Sequence, residues 1–157
     1  MSARSLYDEI QEVAAHYPVR RSAIMAALHL AQDRYGGWLP PDAFREVADA
    51  LDLTPAYCQA VASFYDMYNL EPVGRHEIAV CTNVSCALEG AQQVLETFER
   101  ELGIHAGETT ADGEFTLRTF ECLGGCGWAP VVAVDYRYRE PVRPEDVPRI
   151  LEETRGA

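Results

Sequence analysis

The chain has 157 residues, an apolar share of 48% and a formal net charge of −12. That length suits one or two domains, and that apolar share is ordinary for a globular chain that buries a core. The acidic surplus excludes nucleic acid as a partner, because phosphate recognition needs clustered Lys and Arg, and it argues against direct attraction to anionic membrane surfaces. Five cysteines are an odd count in a chain too long and too Cys-poor for a secreted disulfide scaffold. The opening Met1-Ser2-Ala3-Arg4 has no apolar stretch behind it, so no signal peptide is expected. No apolar run approaches the ~20 residues of a membrane-spanning helix, so no membrane insertion is expected either. A reducing, cytoplasmic-type compartment follows, where paired cysteines point to metal or redox chemistry.

Residues 1 to about 72 read as a small helical bundle. Leu6, Ile10, Val13, Ala14 and Tyr17 fall at helical spacing before Pro18. Ile24, Ala27, Leu28, Ala31 and Tyr35 mark a second helix, ended by Gly36-Gly37. Pro40-Pro41-Asp42 opens a third, with Phe44, Val47, Ala48 and Leu51 inward. Thr54-Pro55, a capping residue followed by proline at the first helical position, starts a fourth that runs through Ala60, Val61 and Phe64 to about Asp66. The bundle serves either docking or only stability; Tyr65 and Tyr68, near the domain junction, favour docking, with a place in the core equally open to them. Cys58 shares a helix face with Val61, Ala62 and Tyr65 and reads as a buried, inert thiol.

The pattern changes at Pro72-Val73-Gly74, and residues 73–157 form a second domain. His76 to Cys81 is a strand; Ala91, Leu95, Phe98 and Leu102 line a helix that Gly103 ends. Ala111-Asp112-Gly113 turns the chain into a strand from Glu114 to Glu121. Val131 to Val134 is a short apolar strand and Asp135 to Glu140 a turn. Pro144-Glu145-Asp146 starts a last helix with Val147, Ile150 and Leu151 on one face, its regular start delayed by Pro148. The whole is an α/β chain in two parts (α+β), the second a small sandwich of the thioredoxin kind.

Two cysteine pairs dominate the chemistry. Cys81 and Cys86 stand as C-x4-C, and Cys122 and Cys126 as C-x3-C, each pair following a strand. Iron–sulfur clusters are held by four Cys thiolates. Cys86 falls where the next helix begins, and a helix N-terminus favours thiolate. Gly124, Gly125 and Gly127 allow close backbone approach and supply N–H groups for sulfur, while Trp128 and Pro130 would shield and stiffen that side. A four-cysteine zinc site also uses two close pairs and stays open on spacing alone, with iron–sulfur favoured. There is no C-x-x-C redox dithiol, no G-x-G-x-x-G after a strand, no phosphate-binding P-loop and no nucleophile–base arrangement, so a bound nucleotide would belong to another chain.

The chain resembles the thioredoxin-like [2Fe–2S] subunit of the NADH-oxidising arm of bacterial complex I, from about Ile10 to Leu151. The resemblance rests on Tyr35-Gly36-Gly37-Trp38-Leu39, Val61-Ala62-Ser63-Phe64-Tyr65, Pro72-Val73-Gly74, Val80-Cys81-Thr82-Asn83, Gly107-Glu108-Thr109-Thr110, Asp112-Gly113-Glu114-Phe115-Thr116-Leu117, Glu121-Cys122-Leu123-Gly124-Gly125-Cys126 and Ala129-Pro130. It implies a helical N-terminal domain, a thioredoxin-like ferredoxin domain and one [2Fe–2S] cluster, with Cys81, Cys86, Cys122 and Cys126 matching the ligands one for one. It implies an oxidoreductase subunit that trades single electrons with an FMN near its cluster, without a complete active site of its own. It also implies a larger partner subunit of the same hetero-oligomer that holds FMN and NADH, in the peripheral arm on the cytoplasmic side of the inner membrane. The same subunit type serves NAD-linked hydrogenases and NAD-dependent formate dehydrogenases; a zinc-stapled binding module without redox work is the reading from a different class. Two positions depart from the family: Arg143 where Thr often caps the last helix, and Gly125 where Ala is frequent.

Overall fold

The structure, a computed structural model, describes residues 4–156. The chain divides into two compact units, Met1–Pro72 and Val73–Ala157. Among the described residues no helix is long and apolar enough to cross a membrane.

The first unit holds four helices: α1 (Leu6–Ala14), α2 (Ile24–Arg34), α3 (Pro41–Leu51) and α4 (Pro55–Ala62). Ser5 caps α1 by accepting the Asp8 N–H at 3.2 Å, and Thr54 caps α4 by accepting the Tyr57 N–H at 3.2 Å. Proline stands at the first position of α3 and α4, where its missing N–H costs nothing. Ile10, Leu28, Leu39, Phe44, Val47, Leu51 and Cys58 meet in one apolar core. Two expectations need correction. Helix α4 ends at Ala62, so Phe64 lies beyond it and is 79% exposed. Tyr68 is a core residue: it is buried and its hydroxyl donates to Met25 O at 2.8 Å, which removes it from any outer docking face. Gln32 fixes the same segment, donating to Met67 O and accepting the Asn69 N–H.

The second unit holds a four-stranded sheet of β1 (His76–Cys81), β2 (Phe115–Phe120), β3 (Val132–Val134) and β4 (Arg137–Arg139), in the order β2-β1-β3-β4. Strand β1 (His76–Cys81) is followed by a short helix α5 (Val84–Leu88) and a longer α6 (Ala91–Leu102). The chain then returns as β2 (Phe115–Phe120), parallel to β1 and pairing Cys81 with Phe120. Strand β3 (Val132–Val134) runs antiparallel on the other side of β1, and β4 (Arg137–Arg139) folds back along it. Ile78, Val80, Leu117, Val132 and Val134 turn one face toward Val94 and Phe98 of α6 and toward Val147, Ile150 and Leu151 of α7 (Val147–Arg155). Both helices therefore cover one side of the sheet.

Strand β4 lies where the sequence predicts a turn. Its connection to β3 is only Asp135 and Tyr136, both at positive φ, 47° and 63°. Two-residue hairpin loops of this kind need positive φ at both positions and usually advertise it with Asn-Gly or Asp-Gly. Here the Asp135 carboxylate supplies the bracing, accepting the His76 Nδ1–H at 2.8 Å and the Glu77 N–H at 2.9 Å. At the other end, a single turn of tight helix (Pro144–Asp146) precedes α7, which places Pro148 in the first α-helical turn as its chemistry requires. The missing Thr cap is replaced from within the helix: Asp146 reaches back and accepts the Arg143 N–H at 3.0 Å.

Candidate metal centre

Cys81 closes β1 and is held on both sides. Its N–H donates to Val131 O at 3.0 Å, and the next N–H, of Thr82, donates to Phe120 O at 2.9 Å. Cys86 is the middle residue of α5. Both thiols are buried and share a small apolar nest with Ala91 and Val131, against which Leu123 and Ala129 of the second cysteine loop pack. The two loops therefore adjoin at one end of the sheet. Burial pushes the Cys86 thiol above its ordinary pKa; a hydrogen bond from the Val131 backbone pulls it down, and the neighbouring Cys81 and Cys126 push it up again.

Cys122 and Cys126 are exposed. Gly124 adopts φ +79°, a left-handed conformation open to glycine, and its N–H points back at Cys122 Sγ at 3.3 Å. Cys126 opens a short 3-10 turn, Cys126–Trp128, closed by the Trp128 N–H on Gly125 O at 2.9 Å. Trp128, expected to shield this side, stands 64% exposed in the chain by itself. Of the Gly-rich stretch, only Gly124 shows the anticipated N–H to sulfur contact among the described hydrogen bonds.

The structure thus brings Cys81 and Cys126 each within electrostatic reach of Cys86, and it leaves Cys122, like Cys126, exposed. All five cysteines are free of disulfides. Among the described residues no three His, Cys, Asp or Glu side chains close around a single metal ion. The donor set itself is four thiols in two pairs on adjoining loops, which matches in kind a two-iron centre whose irons each take two thiolates. Cys58 belongs to the core of the helical unit, fully buried, its thiol pushed up to about 11 by desolvation. Sequence reasoning missed Tyr138, whose hydroxyl donates to Leu123 O at 2.5 Å from the unforeseen strand β4. It also missed Val131 as the carbonyl that holds Cys81. Neither carries a pattern: Tyr138 sits in a three-residue strand and Val131 acts through its backbone.

Residues 10–155 match a family described as thioredoxin-like [2Fe–2S] ferredoxin. An NADH-quinone oxidoreductase subunit of Rhizobium meliloti (strain 1021) is 43% identical over 153 residues, spanning 98% of this chain and 90% of that protein. The corresponding NADH-quinone oxidoreductase subunit of Rickettsia bellii (strain RML369-C) is 41% identical over 148 residues, 93% of this chain and 89% of that protein. Among solved structures, an NAD+-reducing [NiFe]-hydrogenase in the air-oxidised state shares the fold with a TM-score of 0.75 at 24% identity, over 85% of this chain and 23% of that one.

Proposed function

This chain belongs to the thioredoxin-like [2Fe–2S] ferredoxin family, and from that premise we propose that it is the electron-transfer subunit of an NADH:quinone oxidoreductase, complex I. The supporting relatives, alike over nearly the whole chain, are one and the same type of subunit of that oxidoreductase. We propose Cys81, Cys86, Cys122 and Cys126 as the cluster ligands. The observation that carries this is the meeting of the two cysteine loops around Val131: its carbonyl holds Cys81, its side chain lies in the nest with Cys86, and the second loop packs on it.

When bound, a [2Fe–2S] centre supplies storage for one electron at a time. The chain's own residues do the rest. Burial of Cys81 and Cys86 keeps water from two of the sulfurs, and the Gly124 N–H offers a hydrogen bond to a third. Solvent access and such hydrogen bonds are what tune the potential of these centres. The chain carries no nucleotide fingerprint, so we assign FMN and NADH to a larger partner subunit. We place the assembly in the peripheral arm, on the cytoplasmic side of the membrane. An equivalent diaphorase subunit of an NAD-linked hydrogenase shares this fold; the near full-length relatives favour the quinone-linked complex.

The test is an EPR spectrum of the anaerobically purified chain after dithionite reduction, with iron and acid-labile sulfide assayed together. A rhombic S = ½ signal with equal iron and sulfide supports the reading. A colourless, EPR-silent protein holding zinc after growth on sufficient iron overturns it.

A further inference from the structure

Two hydrogen bonds at the second cysteine loop share one peptide group. The Tyr138 hydroxyl donates to the carbonyl oxygen of Leu123 at 2.5 Å, the short end of the range for such bonds. The N–H of the same peptide belongs to Gly124 and donates to Cys122 Sγ at 3.3 Å. The chain of contacts therefore runs Tyr138 Oη–H to Leu123 C=O, through the amide, to Gly124 N–H and Cys122 sulfur. Hydrogen bonding at an amide oxygen polarises the amide and makes its N–H a better donor, by roughly 10–30% per bond in condensed-phase estimates.

We propose that Tyr138 is a positioning and tuning residue for the metal centre, acting on the Cys122 sulfur through the Leu123–Gly124 peptide. The inference rests on the reading of Cys122 as a cluster ligand. Three features make the relay more than a chance contact. Gly124 has φ +79° with open space where a Cβ would stand, so the requirement is for the peptide's orientation rather than for room. The side chain of Leu123 packs into the nest of Cys81, Cys86 and Val131, which fixes the peptide from the other side. Tyr138 comes from an edge strand and is half exposed, so its ring contributes little to the core and its hydroxyl is its distinctive group.

The expected sign follows from charge. Reduction adds an electron to a centre whose sulfurs carry much of the negative charge, so a stronger N–H bond to sulfur favours the reduced state and raises the potential. Removing the Tyr138 hydroxyl weakens that bond and lowers it.

The test uses the cluster-loaded full chain, as wild type and as Tyr138→Phe, with potentiometric titration monitored by EPR. The expected result is unchanged iron and sulfide, a midpoint potential shifted to a lower value, shifted g-values and a weaker hyperfine coupling to the exchangeable Gly124 amide proton. If Tyr138 serves only to tether the loop, cluster content falls while potential, g-values and coupling stay as they were, and that outcome overturns the proposal. If Tyr138→Phe fails to load, Tyr138→3-fluorotyrosine, a stronger O–H donor of nearly the same shape, decides the matter: the potential must rise, and an unmoved potential overturns the proposal. Failure of the underlying reading shows earlier and separately, as a wild-type chain that carries no [2Fe–2S] signal.

Discussion

Gly125 approaches Val131 so closely that a Cβ on the glycine would stand 2.9 Å from Val131 Cγ2. Real Cβ atoms do not sit that near a neighbour, so a side chain here must displace Val131, whose carbonyl holds the Cys81 N–H. Glycine fits at this position because Val131 has taken the room that a Cβ would need. Gly125→Ala is expected to cost ~1–2 kcal/mol through overpacking, read as a lower thermal midpoint, and to hasten cluster loss to a chelator. Adding Val131→Ala should recover part of that cost, since the two sites are in direct contact and are expected to be non-additive.

Cys86→Ser and Cys122→Ser are expected to abolish or shift the EPR signal, and Cys58→Ser to leave it in place. The thiols differ in reactivity as well. Cys58 is fully buried with its pKa pushed up to about 11, whereas Cys122 and Cys126 are exposed. Thiolate is the reactive form. Iodoacetamide at mildly alkaline pH should therefore modify the exposed pair of cluster-free protein quickly and Cys58 only after denaturant is added. Peptide mass mapping over time reads the order; rapid labelling of Cys58 in the folded chain would contradict its place in the core.

Gly74 stands where the second unit's first strand begins, and the space for a side chain is taken by backbone. A Cβ there would lie 2.8 Å from the Phe115 carbonyl carbon and 3.0 Å from the Thr116 nitrogen. Its own N–H donates to Thr116 Oγ1 at 2.6 Å. Backbone of a paired strand gives way less easily than a flexible side chain, so Gly74→Ala should cost ~3 kcal/mol, the upper part of the overpacking range. Urea unfolding followed by circular dichroism measures it; a loss below ~0.5 kcal/mol, the scatter of an ordinary surface substitution, would show that β1 and β2 can separate there freely.

The acid limb of stability should carry a contribution from Asp146. The Arg143 backbone N–H, then the Arg149 guanidinium, hold its carboxyl below the usual aspartate range. A depressed folded pKa means the stabilisation is fully present above the unfolded value of about 3.9 and disappears as pH falls through the lower folded value. Asp146→Asn should thus lower the urea midpoint at neutral pH, with the gap to wild type closing as the pH drops below about 4. A gap independent of pH would mean the loss comes from packing rather than from the charge.

Much of this architecture is visible in the chain before any coordinates. Thr54-Pro55 and Pro41 announce helix starts because capping and a missing N–H are local chemistry. Phe44, Val47, Ala48 and Leu51 announce a buried face because its period is helical, and all four are buried. The four cysteines announce themselves by type and spacing. What stays hidden depends on contacts distant in sequence. Strand β4 is three residues long and its turn lacks glycine; the bracing of Asp135 by His76 comes from 59 residues away. Helix α5 is five residues, too short to show a period. The end of α4 before Phe64 and the outward stance of Trp128 reflect what neighbouring backbone leaves uncovered, which no local pattern reports.

Strand β4 also has an outer edge. Its three residues, Arg137, Tyr138 and Arg139, are all exposed, and no further strand pairs beyond it among the described residues. An open edge is a template for unwanted strand addition, the first step toward aggregates. This one is short and carries two guanidinium groups, so a second copy arriving edge to edge would set arginine against arginine. Edge-to-edge pairing of two copies through β4 is therefore disfavoured by charge as well as by length.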